Sequence, residues 1–174
     1  MRWKGVGANR PDFAEFYRRS KDECLFTVMV SVGEQDTAQD LVAEAFARAW
    51  ARWRTVGRHP APAAWVVRTA LNAHVYRWRR RRREVPVADP GVLADRPAAG
   101  EPFDGPVDPR IMAALLRLPE RQRQVVALRL FLDLDTATAA AALGIAPGTV
   151  QAHLGRAIAA LRADLMPEQK EMPS

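Results

Sequence analysis

The chain has 174 residues, 48% of them apolar, and carries a formal charge of +6 with a pI near 10.4. That composition excludes a disordered tail, allows one domain or two small ones, and points to a polyanionic partner, nucleic acid before membrane. A single cysteine, Cys24, forbids an intramolecular disulfide and gives no metal-ligand spacing, no apolar run approaches the roughly 20 residues of a membrane span, and no apolar signal segment follows Met1, so a cytoplasmic protein is expected.

From Pro11 onward, Phe13, Phe16, Tyr17, Cys24, Leu25, Val28 and Val32 fit the apolar stripe of one helix, which Gly33 breaks. The aromatics read as core. Asp36 or Thr37 can cap a second helix whose buried stripe is Val42, Phe46, Trp50 and Trp53, with Asp40, Glu44 and Arg48 elsewhere on its surface. Thr55 to Ala64 reads as a loop, because Pro60 and Pro62 lack the donor a helix needs. Trp65, Val66, Thr69, Ala70 and Ala73 then resume helical spacing and run into Arg77-Trp-Arg-Arg-Arg-Arg-Arg83. Six arginines at one helix end repel each other unless a polyanion is near, and the tryptophan adds a stacking plane. A merely solvated basic face is the plain alternative.

Composition changes at Glu84. From there to Pro109 the chain holds Pro86, Pro90, Pro97, Pro102, Pro106 and Pro109, three glycines, and six acidic side chains against Arg96 alone. With little to bury and many residues that oppose regular structure, 85–109 reads as a flexible acidic linker between two small helical domains, 1–84 and 110–174.

The second domain opens with Ile111, Leu115, Leu116 and Leu118, and Pro119 suits a first helical position. In Glu120 to Leu132 the expected buried side chains are Val125, Val126, Leu128, Leu130 and Leu132, with Arg121, Arg123 and Arg129 outward. Asp135 is placed to cap the next, Ala-rich helix, Leu143-Gly-Ile145 makes a tight corner, and Val150, Leu154, Ile158, Leu161 and Leu165 share one face of a last helix. Pro167 ends it, and the residues beyond read as frayed. Helix, glycine turn, helix is a helix-turn-helix. The face opposite the apolar one carries Ala152, Gly155, Arg156, Ala159 and Ala163, flanked by Gln151 and His153. Small residues let a backbone enter a groove, and Arg and Gln read guanine and adenine edges. The three histidines are scattered, and no His-x-x-x-His, Cys-x-x-Cys or phosphate-cradling glycine loop occurs, so no enzyme, metal, cofactor or small-molecule substrate is expected.

In their order, these residues resemble the extracytoplasmic-function sigma factors of bacterial RNA polymerase. The resemblance rests on Asp36-Thr-Ala-Gln-Asp-Leu-Val-Ala-Glu-Ala-Phe-Ala-Arg-Ala-Trp50, Ala64-Trp65, Asn72 with the arginine run, Leu118-Pro-Glu-Arg-Gln-Arg-Gln-Val-Val-Ala-Leu128, and Leu143-Gly-Ile-Ala-Pro-Gly-Thr-Val150 with Arg156-Ala157. It implies an all-α protein whose four-helix second domain ends in the helix-turn-helix. It also implies binding of core polymerase through the clamp helices of the largest subunits and the flap, contact with promoter DNA, and an anti-sigma factor as a further partner.

On that resemblance Asp40, Glu44 and Arg48 dock on polymerase. His59, Trp65, Arg68, Asn72, Arg77, Arg79 and Arg80 hold the melted non-template strand of the -10 element. Gln151, Ala152, Gly155 and Arg156 read the -35 element as duplex, with Thr149 and His153 on its phosphates. Three departures stand out: Ala43 replaces a glutamine common in the docking helix, Asp135-Thr-Ala-Thr138 keeps a cap without the reciprocal glutamate of a capping box, and Ala146 replaces the serine that commonly precedes the last helix. A stand-alone helix-turn-helix regulator is the alternative. It accounts for the second half of the chain but not for the basic, Trp-containing helix.

Overall fold

In the first half, two long amphipathic helices are separated by Gly33, whose φ of 81° is open to glycine and strained for other residues. The computed structural model describes residues 10–84 and 107–166, and among these every regular element is helical. Helix α1 spans Arg10–Val32, α2 Gln35–Ala51, α3 Trp53–Val56 and α4 Pro62–Glu84. The second half holds α5 (Pro109–Arg117), α6 (Glu120–Val126) with a π-helical turn over Ala127–Phe131, α7 (Thr136–Leu143) and α8 (Pro147–Leu165). The expected linker, except its last three residues, and the frayed end after Met166 lie outside the described residues.

Several local expectations change. The cap of α2 is Glu34, not Asp36 or Thr37; Thr37 lies one turn in and donates its hydroxyl to Glu34 Oε2 at 2.7 Å, while Asp36 lies in the first turn, where the helix dipole favours its charge. The buried face of α2 is Ala38, Leu41, Val42, Ala45, Phe46 and Ala49, and Trp50 stands 39% exposed. Arg52, at φ −115° and ψ 20°, interrupts the helix, so Trp53 begins α3 and the run from Val42 does not continue through it. The loop before α4 is correspondingly shorter, and Pro119 caps α6 rather than starting it.

In the second half the π turn adds a residue to the helical circuit, bonding Leu132 N to Ala127 O at 3.2 Å. Leu130, expected inside, is 55% exposed: at 100° per residue it lies about 160° from both Leu128 and Leu132, which are buried. Arg123 points inward instead of outward and donates to the carbonyls of Leu116, Leu118 and Ser31. Arg129 likewise folds back onto the carbonyl of Leu134.

The buried side chains of both halves belong to one continuous core. Helix α1 packs on α2 and α4 on one side and on α6 and the π turn on the other, and α4 also meets α7. Thr27, Val28, Met29, Val30 and Ser31 are consecutive and all at most 3% exposed, which on a helix requires cover on every side. Cys24 is buried beside them, its thiol directed at Ala63 O (3.9 Å), and burial first, then Glu23, pushes its pKa up to about 12.

Candidate nucleic-acid interface

Helix α4 begins at Pro62, where proline's missing donor costs nothing, and is anchored by buried Ala64, Val66, Val67, Ala70 and Leu71. At 100° per residue, Trp65, Arg68, Asn72 and Arg79 fall within about 60° of one another, a single stripe along the helix. Arg68, Asn72 and Arg79 are exposed and Trp65 is half-buried. Arg80 is exposed to one side of the stripe. His59 is exposed in the preceding loop, its Nδ1 accepting from Ala61 N at 3.0 Å, a bond that shapes the entry to α4.

Arg77 lies on the other side of α4. Its Nη2 meets Glu44 Oε2 of α2 at 2.6 Å, while Glu44 Oε1 accepts from Arg48 Nη2 at 2.5 Å. Asp40, Glu44 and Arg48 succeed one another at intervals of four on one face of α2; Asp40 and Arg48 are exposed and Glu44 is partly covered by its two arginines. Tyr76, which the sequence reading passes over, is 67% exposed one turn after Asn72. It joins Asn72 and Arg79 in lining a cleft of about 450 Å³ whose opposite wall holds Arg121, Gln124 and Gly144. The signal for it was an aromatic residue between Asn72 and Arg79 at helical spacing.

The second candidate surface is set by a tight corner. Asp135 caps α7, accepting from Thr138 N at 2.7 Å, and this bond together with the Thr138 hydroxyl holds its carboxyl below the ordinary carboxylate range. Gly144, at φ 65°, ends α7 in the left-handed conformation and sends the chain into α8. Ala146 occupies the cap of α8 with no side-chain hydrogen bond, and Pro147 opens the helix. Val150 and Ala157 are fully buried, which fixes the rotation of α8. Thr149, Gln151, Ala152, Gly155 and Arg156 are therefore all exposed on the far side. His153 is half-buried at the edge, its Nδ1 enclosed without a hydrogen-bond partner. A Cβ added at Gly155 would meet nothing within 4 Å, so nothing in this chain's own packing requires that glycine.

Among the described residues, no cluster of three or more His, Cys, Asp or Glu could hold a metal, and no helix is long and apolar enough to cross a membrane.

Comparison with known proteins agrees with both halves. Residues 15–84 match the family model "Sigma-70 region 2", and residues 109–161 match "Sigma-70, region 4". The chain is 33% identical over 156 residues to the RNA polymerase sigma-E factor of Streptomyces coelicolor, covering 89% of this chain and 86% of that one. It is 32% identical over 137 residues to the ECF RNA polymerase sigma factor SigL of Mycobacterium tuberculosis, with 76% and 77% covered. Its fold is similar to that of the sigma factor RpoE from Bartonella quintana, solved in complex with the anti-sigma factor NepR: the TM-score is 0.73 at 26% identity, over 91% of this chain and 99% of that one.

Proposed function

This chain belongs to the extracytoplasmic-function sigma factors of RNA polymerase, and from that premise we propose how its surfaces divide the work of directing polymerase to promoters. Helix α8 reads the upstream, -35 element as intact duplex. Gln151 and Arg156 offer donors to base edges, Ala152 and Gly155 admit the groove wall, and Thr149 and His153 lie where phosphates pass. The observation that carries this reading is the division of α8 itself: buried Val150 and Ala157 hold one side, and the side left open bears the groove-compatible residues and a glycine with no internal purpose.

The α4 surface takes the downstream, -10 element as melted non-template strand. Extruding a base costs a few kcal/mol, and stacking on an aromatic plane returns about 1–3 kcal/mol per base. Trp65 supplies the plane, Asn72 amide hydrogen bonds, and Arg68, Arg79 and Arg80 phosphate contacts, with His59 at the mouth of the site. Arg77 joins them when Glu44 releases it. Asp40, Glu44 and Arg48 form the charged face that docks on polymerase, whose own active site performs nucleotide addition; an anti-sigma factor is the further partner in this reading.

Reconstitution with core polymerase on a genomic promoter library, reading transcript starts, tests the proposal. Starts preceded by a shared -35 and -10 pair are expected. Loss of all promoter-dependent transcripts, with duplex binding intact and preferring paired half-sites, would move the chain to the stand-alone regulators.

A further inference from the structure

Tyr76 has no part in the division of labour above, yet among the described residues it is the most exposed aromatic side chain, 67% open on α4. A lone exposed ring needs no explanation; the company it keeps is another matter. Tyr76, Asn72 and Arg79 form one wall of the cleft of about 450 Å³, and Arg121 and Gln124 of α6, with the corner at Gly144, form the other. Leu71, Val75 and Leu143 add apolar surface. Two arginines from different helices therefore line one concave space, and no acidic side chain lines it with them.

Arg121 is held in place there. Its Nη1 donates to Gln124 Oε1 at 3.1 Å, and Gln124, only 3% exposed, donates its own Nε2 to Glu120 Oε1 at 2.9 Å. A buried amide engaged through both its oxygen and its nitrogen has a fixed orientation, so the guanidinium it receives is fixed with it. Arg121 itself stays exposed and keeps most of its donors for other partners. The Glu120 carboxylate is spent on Gln124 and lies outside the lining.

An exposed ring offers a stacking plane to a base, and an amide pairs a donor with an acceptor for the base's edge. The planar fork of arginine matches phosphate oxygens. The cleft's volume lies in the lower part of the roughly 300–1,000 Å³ that small-molecule sites occupy. We propose that it binds one free purine nucleoside di- or triphosphate, with the base on Tyr76, Asn72 at the base's edge and the phosphates between Arg79 and Arg121. A single DNA strand carries the same bases and phosphates, and Arg121 is what separates the two: a strand following α4 meets α4's own side chains, whereas the free nucleotide also uses the far wall. The site stands on the cleft alone. Its consequence rests on the assignment of Asn72 and Arg79 to the melted strand given above: a nucleotide seated on both residues competes with that strand, so the supply of free purine nucleotide sets how readily the chain engages it.

Calorimetric titration of the full chain with ATP and with GTP tests the site. Saturable, one-to-one binding with a submillimolar Kd is expected, accompanied by a rise in melting temperature because the ligand touches both walls. Adenosine and guanosine, without phosphates, and inorganic triphosphate, without a base, should each bind at least about tenfold more weakly. Tyr76→Ala and Arg121→Gln should each weaken nucleotide binding at least about tenfold, and Tyr76→Phe, which keeps the ring, less than about twofold. Arg121→Gln retains an amide donor for Gln124, and Tyr76 is exposed, so both variants should melt as the wild type does. Absence of saturable binding overturns the proposal, as does inorganic triphosphate binding as tightly as ATP, the mark of a patch that collects any polyanion. Arg121→Gln should leave affinity for a single-stranded oligonucleotide within about twofold of the wild type. An equal loss for oligonucleotide and nucleotide overturns the proposal, since the cleft then belongs to the strand. Nucleotide binding that fails to displace the oligonucleotide would uphold the site and refute the placement of the strand on Asn72 and Arg79.

Discussion

Arg77 crosses from α4 to Glu44 of α2 at 2.6 Å, joining the helix we propose holds DNA to the face we propose docks on polymerase. The two belong to different tasks in the proposed division of labour, and while paired each neutralises the other. Both side chains are more than a third exposed or close to it, so the pair itself contributes little to stability. Glu44→Gln should therefore lower stability by no more than about 1 kcal/mol. By freeing a guanidinium it should also steepen the slope of log affinity for single-stranded DNA against log salt by up to about one. Titration over a salt series checks this, and an unchanged slope would mean Arg77 has no phosphate within reach.

Gly155→Ala should separate folding from recognition. Glycine inside a helix costs about 0.5–1 kcal/mol relative to alanine, and a methyl group here meets nothing in the chain. Thermal melting should thus rise, while affinity for duplex carrying the upstream element falls because the added Cβ occupies the groove side. A rise in both would mean that DNA does not approach this face.

Arg156→Ala should cost about 1–3 kcal/mol at one upstream base and relax the preference there. Binding measured across a library of single-base variants distinguishes this from a uniform loss, which would make Arg156 a phosphate clamp.

Ala146→Ser adds a missing cap. Ala146 has the extended backbone of a cap residue, at φ −70° and ψ 148°, and no side-chain acceptor for the first-turn amides of α8. A serine there should stabilise the fold by about 0.5–2 kcal/mol. Calorimetry showing an unchanged or lower melting temperature would count against it.

Asp135 gives a pH signature. Its folded-state pKa is depressed, by its hydrogen bonds to Thr138 first, so its contribution is fully present above the unfolded value near 3.8 and is lost as pH falls through the lower folded value. Asp135→Asn keeps a capping oxygen but does not titrate. Melting curves of the variant should lose part of the wild-type acid sensitivity below pH 4, and parallel curves would show that the cap's charge is irrelevant.

Helical periodicity located the elements well, because α1, α4 and α8 each carry buried or half-buried apolar residues at intervals of three and four. It failed where the helix itself changes course. Trp50 and Trp53 share one stripe in the sequence, but the break at Arg52 puts Trp53 in another helix, and Trp50 packs on Phe13 with 39% of it exposed. Leu130 is expected inside with its apolar neighbours, yet it falls on the opposite side of the helix from buried Leu128 and Leu132 and is 55% exposed. Arg123 reads as a surface charge in the sequence, since nothing local announces the three carbonyls it meets. The clusters of arginine, amide and small residues on α4 and α8, from which the reading faces are proposed, are legible in the sequence. Contact between the halves was not, although the charge-free run Leu25 to Gly33 in α1 was a sign that this helix end is covered all round.

The burial of Cys24 reaches beyond packing. A sulfhydryl with a pKa near 12 stays protonated at any physiological pH, and an enclosed, protonated sulfur is a poor target for peroxides or electrophiles. It is the only sulfhydryl in these 174 residues. If transcription through this factor follows oxidative stress, Cys24 is not the sulfur that senses the oxidant.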